Sequence, residues 1–323
     1  MISIFIVPTG IGCSIGGNAG DSNPAFKLIA SVSDIAITHP NVVNASDINE
    51  MPNNTWYVEG SILDRLLEGK ICLEKPKSNK ILLATNKPIQ PETFNAVNAA
   101  RYTIGCEIET IELDTELKMI SKITDKGAGG DVFGWRELIQ QVSQYDYDAL
   151  AIASRIDCPR DIAFKYYRNG GINPWGGVEA IASKLIADAL NKPVAHSPVE
   201  QDCIETRSFR EIVNPRIAAE VVSAAYLHCV FKGLHKAPRI SDRGLSVRDV
   251  DCLVTPDSCF GRPHLACLKS KIPVIVVKEN TTCLYNKMPS NFIFVENYLE
   301  AVGVIQTMKI GVTRESVRRT YER

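Results

Sequence analysis

The chain has 323 residues, a length that suits one large α/β domain or two smaller lobes. Hydrophobic residues make up 45% and charged residues 23%, which excludes a largely disordered chain. The 36 basic residues are balanced by 37 acidic ones, and no apolar run approaches the roughly 18 residues of a membrane span. The first eight residues lack the basic lead and the cleavage site of a signal peptide, and a transit segment removed upstream is the alternative. We therefore expect a cytoplasmic protein with no nucleic-acid or membrane partner.

Short β-branched runs alternate with helical stretches, a pattern typical of mainly parallel sheets with helices on both faces. In chain order, the predicted strands are Ser3–Val7, Ile35–Thr38, Lys80–Thr85, Ile108–Leu113, Ala149–Ala153, Pro193–His196, Cys252–Thr255, Pro273–Val277 and Phe292–Val295. The predicted helices are Pro24–Ser33, Ser61–Glu68, Pro91–Tyr102, Trp135–Ser143, Gly177–Leu190, Pro215–Phe231, His264–Ser270 and Leu299–Met308. Three of them are expected to start at Asn-Pro pairs, because Asn caps free N–H groups and Pro at the first helical position needs no donor.

These elements predict an α/β fold of two Rossmann-like halves, residues 1–145 and 146–323. Residues 114–134 and 235–249 contain no predicted element. We expect them to be long loops, which in compact chains are usually functional or mobile. No repeat or low-complexity tract is visible, which excludes solenoid and linker architectures.

The ten cysteines are not spaced as metal-binding or redox pairs, since no two of them form a Cys-x-x-Cys motif. The sequence therefore predicts free thiols, without a structural zinc site or a disulfide framework.

A glycine-rich segment from Gly10 to Gly20 follows the first strand and precedes a helix. Backbone N–H groups at such a junction can hold an anion or a polar substrate, and a tight turn without a ligand is the alternative. The spacing fits neither a P-loop nor the G-x-G-x-x-G motif of dinucleotide-binding proteins, so no cofactor is predicted. The candidate binding residues in this segment are Gly12, Gly16, Gly17, Asn18 and Gly20, with Asp21 available for a cation or a substrate amine.

Further polar side chains follow the next predicted strands. His39 ends the second strand and can act as a general acid or base near neutral pH, although a structural hydrogen-bonding role is the more frequent one for a lone histidine. Asn41 and Glu59 follow as candidate binding residues, and Ser61 is read as a helix cap.

The second half supplies its own candidates at strand ends and helix starts. Asn173, Gly176, Gly177 and Ser197 are candidate binding residues, and His196 is a second acid/base candidate. Cys259 follows a strand and opens a helix, where backbone N–H groups lower the pKa of a thiol; an inert turn residue is the alternative. Arg262, close by, can clamp a carboxylate with two hydrogen bonds.

Several motifs together resemble an uncharacterised family, common in cyanobacteria and plastids, whose domain has no known function. The resemblance rests on residues 8–12, 15–21, 38–42 and 57–60, and on the later runs 176–180, 196–198, 249–251 and 279–282. It departs at Phe260, where the family has a small residue. The resemblance implies the fold but no reaction.

The second half is also loosely similar to cofactor-independent aspartate/glutamate racemases and related enzymes, which use strand-end cysteines as acid/base pairs. This similarity implies that Cys259 carries protons, with Cys13 or His39 facing it across the substrate.

The expected function is that of a small-molecule enzyme, with a cleft between the halves that binds an anionic or zwitterionic metabolite such as a carboxylate or an amino acid. Metal-independent acid/base chemistry of the isomerase, racemase or lyase kind is expected, carried by Cys259, His39, His196 and Asp21. An acyl or phosphoryl transferase and a non-catalytic metabolite-binding regulator are the alternatives. A homo-oligomer is possible.

Overall fold

The fold was obtained as a computed structural model that describes residues 1–18, 20–198, 212–218 and 226–318. The strands are β1 Ile2–Phe5, β2 Ile35–Thr38, β3 Thr55–Tyr57, β4 Cys72–Glu74, β5 Lys80–Thr85, β6 Glu107–Glu112, β7 Lys118–Thr124, β8 Gly127–Phe133, β9 Ala149–Ser154, β10 Ile156–Asp157, β11 Val194–Pro198, β12 Arg239–Ser241, β13 Cys252–Pro256, β14 Val274–Val277 and β15 Ile293–Val295. The α-helices are α1 Asn23–Val32, α2 Gly60–Leu67, α3 Pro91–Thr103, α4 Trp135–Val142, α5 Arg160–Asn169, α6 Gly176–Leu190, α7 Tyr226–His235, α8 Arg262–Ser270, α9 Tyr298–Ile310 and α10 Arg314–Arg318. Three short 3₁₀ helices cover Ala45–Glu50, Pro215–Ile217 and Val247–Asp249.

The first sheet combines strands from both ends of the chain. Its order is β15-β14-β13-β1-β2-β3, and every neighbouring pair is parallel. Counted along the chain within this sheet, the order is 3-2-1-4-5-6, that of a Rossmann fold, with the order reversing between β1 and β13. The carboxyl ends of these two strands are therefore the expected place for a ligand.

The second sheet is formed by the middle of the chain. Its order is β11-β9-β5-β6, again with parallel neighbours only. The boundary expected near residue 145 does not coincide with the division between the sheets, because β5 and β6 pair with strands beyond it. The second unit is instead inserted between α2 and β13 of the first.

Helices cover both faces of each large sheet, as the alternating sequence pattern predicts. On the first sheet, the apolar faces of α1 and α9 form one core layer and those of α2 and α8 the other. On the second sheet, α4 and α6 lie on one side, and α3 and α7 on the other. The prediction of an α/β protein with two Rossmann-like, mainly parallel units is confirmed.

Residues 114–134 were expected to be a loop, and this expectation is wrong. They contain an antiparallel hairpin, in which β7 pairs with β8 from Lys118↔Phe133 to Thr124↔Gly127. The run Gly127-Ala128-Gly129-Gly130 has little strand propensity, and tertiary contacts determine its conformation. A Cβ atom on Gly130 would lie 2.1 Å from the carbonyl oxygen of Ile120, so the close approach of these strands requires glycine.

Two of the three Asn-Pro pairs bind N–H groups of the turn that follows them, although the N-cap residue of α6 itself is Trp175. Asn173 Oδ1 accepts from the N–H groups of Trp175 and Gly176, and Asn214 Oδ1 accepts from Arg216 N–H. Asn23 instead lies inside α1 and donates to Asp47. The helix predicted for Pro215–Phe231 runs partly through residues 219–225, which lie outside the described residues.

Within the described ranges, no helix combines the length and the apolar character required to cross a membrane.

Candidate functional site

A cavity of about 630 Å³ lies between the carboxyl edge of the first sheet and the second unit. The first unit contributes the segments that follow β1, β2, β3 and β13, and the second unit contributes α6, β11 and α7. Eight residues predicted as site residues line its wall: Gly17, His39, Asn41, Glu59, Asn173, Gly176, His196 and Cys259. The structure thus brings candidates from both predicted halves to one cavity.

His39 ends β2 and is held by the end of β1. Its Nε2 accepts a hydrogen bond from the Val7 N–H at 3.1 Å, so the proton of the neutral ring lies on Nδ1. Among the described residues, Nδ1 has no hydrogen-bond partner. Burial lowers the pKa of His39 to about 4. The imidazole is therefore neutral at physiological pH and suited to donating a hydrogen bond to a ligand, and it is a weaker base than the sequence suggested.

Glu59 lies just before α2 and caps it. Its carboxylate accepts from the N–H groups of Ser61 and Ile62 and from the Ser61 hydroxyl. The cap of α2 is thus Glu59. The sequence had suggested Ser61 for this role, and that expectation is wrong. Burial raises the pKa of this carboxyl above its ordinary value.

Asp64 lies one helical turn beyond Gly60 on α2, and it also lines the cavity. Burial raises the pKa of its carboxyl to about 6, although the Arg262 and Lys184 cations act in the opposite direction. The ammonium of Lys184 belongs to α6 on the opposite wall, and among the described residues no carboxylate lies within ion-pair distance of it. The cavity therefore holds acidic groups and a cation together.

His196 lies in β11 at the edge of the second sheet, with its side chain only 1% exposed. Its Nδ1 is 2.8 Å from Glu179 Oε1, and its Nε2 is 3.0 Å from the Ser154 hydroxyl and 3.2 Å from the Ser154 carbonyl oxygen. The three hydrogen-bonded side chains of Ser154, His196 and Glu179 have the geometry of a Ser-His-Glu triad. Ser154 is 1% exposed and is not part of the cavity wall, so its hydroxyl does not reach a ligand in the cavity. Both ring nitrogens of His196 are held by protein groups.

Cys259 lies after β13 and is connected to a buried histidine. His264 Nδ1 accepts from the Gly261 N–H, so its Nε2–H donates to Thr255 Oγ1 at 2.9 Å. The Cys259 thiol lies 3.5 Å from the same hydroxyl and donates to the carbonyl oxygen of Pro256. Burial raises the pKa of Cys259 to about 11. The expectation of a lowered thiol pKa is therefore wrong, because desolvation outweighs the effect of the helix start.

The glycine-rich segment uses its N–H groups within the protein. Three consecutive N–H groups donate to protein oxygens: Ser14 to Thr281 O at 2.9 Å, Ile15 to Asn280 Oδ1 at 2.8 Å and Gly16 to Asp21 Oδ1 at 2.7 Å. Asn41 Nδ2 holds the start of the segment through the carbonyl oxygens of Val7, Pro8 and Gly16. These N–H groups are not directed at the cavity, and Gly17 is the glycine of this segment that lines it.

Two glycines permit close packing around the β7–β8 hairpin. The carbonyl oxygen of Gly10 accepts from Ala128 N–H at 2.7 Å, which attaches the segment to the β7–β8 hairpin. A Cβ atom on Gly177 would lie 2.2 Å from the carbonyl oxygen of Ala128. Gly177 therefore has a packing role at this junction, and it does not line the cavity.

Asp21 and Arg262 are engaged in ion pairs. Asp21 Oδ2 accepts from the Arg216 guanidinium at 2.5 Å, and the Asp21 carboxylate does not line the cavity. Arg262 donates to both carboxylate oxygens of Glu68, at 2.6 and 2.9 Å. The predicted roles of Asp21 toward an amine and of Arg262 toward a carboxylate are therefore not supported, since protein groups already satisfy both charges. The remaining predicted residues that lie outside the cavity wall are Gly12, Gly16, Asn18, Gly20 and Ser197.

Sequence reasoning missed Asp64, Lys184 and the cavity-facing side of α7. The sequence carried a signal for Lys184. Small or polar residues recur in α6 at the spacing of one helix face, namely Gly176, Glu179, Ala180, Ser183 and Lys184. Asp64 carried no such signal, since an aspartate beside Arg65 in a short amphipathic helix is typical of a solvent-exposed position.

The chain matches a family model described as a protein of unknown function, DUF3326, over residues 2–318. It is 34% identical over 333 residues to an uncharacterized lipoprotein of Synechococcus sp., an alignment that covers 97% of this chain and 92% of the relative. No solved structure matches significantly. The family match over nearly the whole length and the identity to the cyanobacterial relative show that the chain belongs to the DUF3326 family of proteins of unknown function.

Proposed function

We propose that this protein is a small-molecule enzyme that performs acid/base chemistry on a zwitterionic or anionic metabolite in the cavity between the two units. The observation that carries the proposal is the composition of the cavity wall. One cavity of about 630 Å³ holds His39, Glu59, Asp64, Glu179 and Lys184, contributed by strands and helices of both units. Ligand sites of Rossmann-type sheets lie at this carboxyl edge.

The charges favour a zwitterion such as an amino acid. A substrate ammonium is suited to the carboxylate of Glu179, and a substrate carboxylate is suited to Lys184 and the Nδ1–H of His39. The helix starts at Gly60, Gly176 and Gly261 also line the cavity and add partial positive charge.

Asp64 is the group best suited to be the base. A carboxyl with a pKa near 6 is mostly ionised at neutral pH and is basic enough to accept a proton. In the proposed step, Asp64 takes the proton from the carbon beside the substrate carboxylate. The electron pair of that C–H bond moves onto the carboxylate oxygens, where His39 donates its hydrogen bond. A proton from solvent then adds to the opposite face of the carbon, and Asp64 releases the proton it took to solvent, which completes a racemisation.

Exchange of carbon-bound hydrogen for deuterium tests this proposal. The protein is incubated in D₂O with a panel of amino acids and short carboxylic acids, and loss of the α-proton signal is followed by ¹H NMR. Exchange with at least one compound is expected, and it should be lost in Asp64→Asn and retained in the exposed Asp114→Asn. Binding without exchange would instead indicate a regulatory metabolite-binding protein. The phosphoryl-transfer alternative has weaker support, because three consecutive N–H groups of the glycine-rich segment already donate to protein oxygens.

We place this activity in the cytoplasm, on the ground that nine cysteines among the described residues are free thiols, as a reducing compartment maintains them. The similar Synechococcus protein is named a lipoprotein, a name that points to membrane anchorage of that relative. Fractionation of cells into soluble and membrane fractions, with detection by antibody, decides between the two locations.

A further inference from the structure

One wall of the cavity is apolar and is formed by α7. Tyr226, Cys229, Val230 and Gly233 line the cavity and recur at the spacing of one helix face. The adjoining face of α7, with Leu227, Phe231 and Leu234, is buried in the core of the second unit. The helix is therefore apolar on the side that the core covers and also on the side that faces the cavity.

The side chains of Lys232 and His228 on α7 lie outside the cavity wall. Lys232 donates to the carbonyl oxygen of Ser46 at 3.2 Å, and His228 lies 3.3 Å from the hydroxyl of Thr103. Neither Lys232 nor His228 therefore interrupts the apolar face that α7 presents to the cavity.

Tyr57 lies beside α7 and continues its apolar wall. A Cβ atom on Gly233 would lie only 2.8 Å from Cε1 of the Tyr57 ring, so the glycine allows the ring to lie directly against α7. Ala195 of β11 also lines the cavity here. We call the space bordered by Tyr57, Ala195, Val230 and Gly233 the apolar chamber; it belongs to the same cavity as the charged groups.

The cavity is too large for a polar head group alone. Cavities of roughly 300–1,000 Å³ hold drug-sized ligands, and this one measures about 630 Å³. Covering apolar surface that faces water in the free protein makes the free energy of binding more favourable.

We propose that the ligand of this site is amphipathic, with a zwitterionic or carboxylate head group at the charged wall and an apolar side chain or ring in the apolar chamber. This inference rests on the proposed function and specifies its substrate class. The continuity of the chamber with the charged wall is what favours one molecule that spans both.

The test measures the affinity of a homologous series by isothermal titration calorimetry. Alanine, 2-aminobutyrate, norvaline and norleucine share one head group and differ in the length of an unbranched side chain. For the unaltered protein, affinity should rise about fourfold with each methylene group that is buried. In Val230→Phe, which fills the chamber, the rise should disappear, so that alanine and norleucine bind with similar affinity. Ile181→Phe, at an exposed position of α6 outside the cavity wall, should behave like the unaltered protein.

A second variant, Val230→Ala, guards against misfolding of the first and should shift the gain toward longer side chains. Affinities that are equal along the series, or a gain that persists in Val230→Phe, would overturn the apolar chamber as a ligand site. 1-Pentanol, which has a chain without the head group, separates the two proposals. If it binds as tightly as norleucine, the chamber stands and the proposed head-group recognition fails, whereas binding of none of these compounds overturns both.

Discussion

Nε2 of His39 accepts a hydrogen bond from the backbone N–H of Val7 at 3.1 Å. This contact joins the end of β2 to the end of β1, the two neighbouring strands whose carboxyl ends border the cavity. It also sets the tautomer of the ring, because a nitrogen that accepts a hydrogen bond carries no proton. The backbone of the first strand thereby presents the Nδ1–H of His39 as a donor.

Replacing His39 should affect both binding and stability. In His39→Ala, the Nδ1–H donor is removed, and we expect ligand affinity to fall about tenfold, the equivalent of one lost hydrogen bond. The Val7 N–H also loses its buried partner, at a cost of about 1–3 kcal/mol in the free energy of unfolding. Calorimetry and urea denaturation measure the two effects. His228→Asn, outside the cavity, should leave affinity unchanged, and an equal loss of affinity in this control would contradict the role of His39.

The pH dependence of turnover should report Asp64. Its pKa is raised to about 6 by burial, and a general base acts in its ionised form. The rate of deuterium exchange at low substrate concentration is therefore expected to rise about tenfold per pH unit below 6 and to level off above it. The residual rate of Asp64→Asn should lack this limb. A limb near pH 6 that survives in Asp64→Asn would assign it to another group.

Stability should also depend on pH through His264. This histidine is fully buried, and burial lowers its pKa to about 4 from the ordinary value of 6.5. The unfolded chain therefore takes up a proton between pH 6.5 and pH 4 that the folded chain does not. The stabilisation is fully present above pH 6.5 and decreases as the pH falls toward 4, by up to about 1.4 kcal/mol per pH unit.

The measurement compares the protein with His264→Gln by urea denaturation at several pH values. The difference in free energy of unfolding between the two should shrink as the pH falls through this window. Tyr102→Phe, at a position 90% exposed, should give a difference that is independent of pH between 4 and 7. A pH-independent difference for His264→Gln would show that the ring is protonated in the folded state as readily as in the unfolded chain.

Two glycine-to-alanine substitutions in helices should change the free energy of unfolding in opposite directions. Gly177→Ala places a methyl group 2.2 Å from the Ala128 carbonyl oxygen, so α6 and the hairpin must separate, at a cost of about 1–3 kcal/mol or more. Gly303→Ala in α9 meets no atom within 4 Å and should stabilise by about 0.5–1 kcal/mol through helix propensity. Thermal denaturation of both variants tests this contrast, and a neutral Gly177→Ala would show that the two elements are not in close contact.

Arg262 is expected to contribute to stability and not to ligand binding. It forms two hydrogen bonds with Glu68 and lies 3.5 Å from Asp64, and it holds the pKa of Glu68 at about 2. Arg262→Gln should lower the free energy of unfolding by about 1 kcal/mol, since the pair is partly exposed to solvent. The affinity for carboxylates should change less than twofold. Lys87→Gln, which removes the exposed pair with Asp114, is the control and should be near neutral. A large loss of affinity in Arg262→Gln would restore the carboxylate clamp that the sequence had suggested.

The sequence by itself determined the class of fold and most of its elements. Alternation of β-branched runs with amphipathic helices has a local cause, the period of each element, and β5 was predicted with its observed bounds. Local sequence also indicated which strand ends carry polar groups, and His39 and Cys259 do line one cavity. The β7–β8 hairpin was missed because its conformation depends on contacts with the segment around Gly10 and with α6.

Only the tertiary structure decided what those groups can do. Strand pairing between residues far apart in the chain places β13 beside β1 and makes the second unit an insertion between α2 and β13, which no local pattern specifies. Burial then sets the chemistry: desolvation raises the pKa of Cys259 and Asp64 and lowers that of His39. Ion pairing likewise removes Asp21 and Arg262 from the candidates, because their partners Arg216 and Glu68 come from distant parts of the chain. The free energy of a charge depends on its three-dimensional surroundings, so residue type alone identified candidates without assigning their roles.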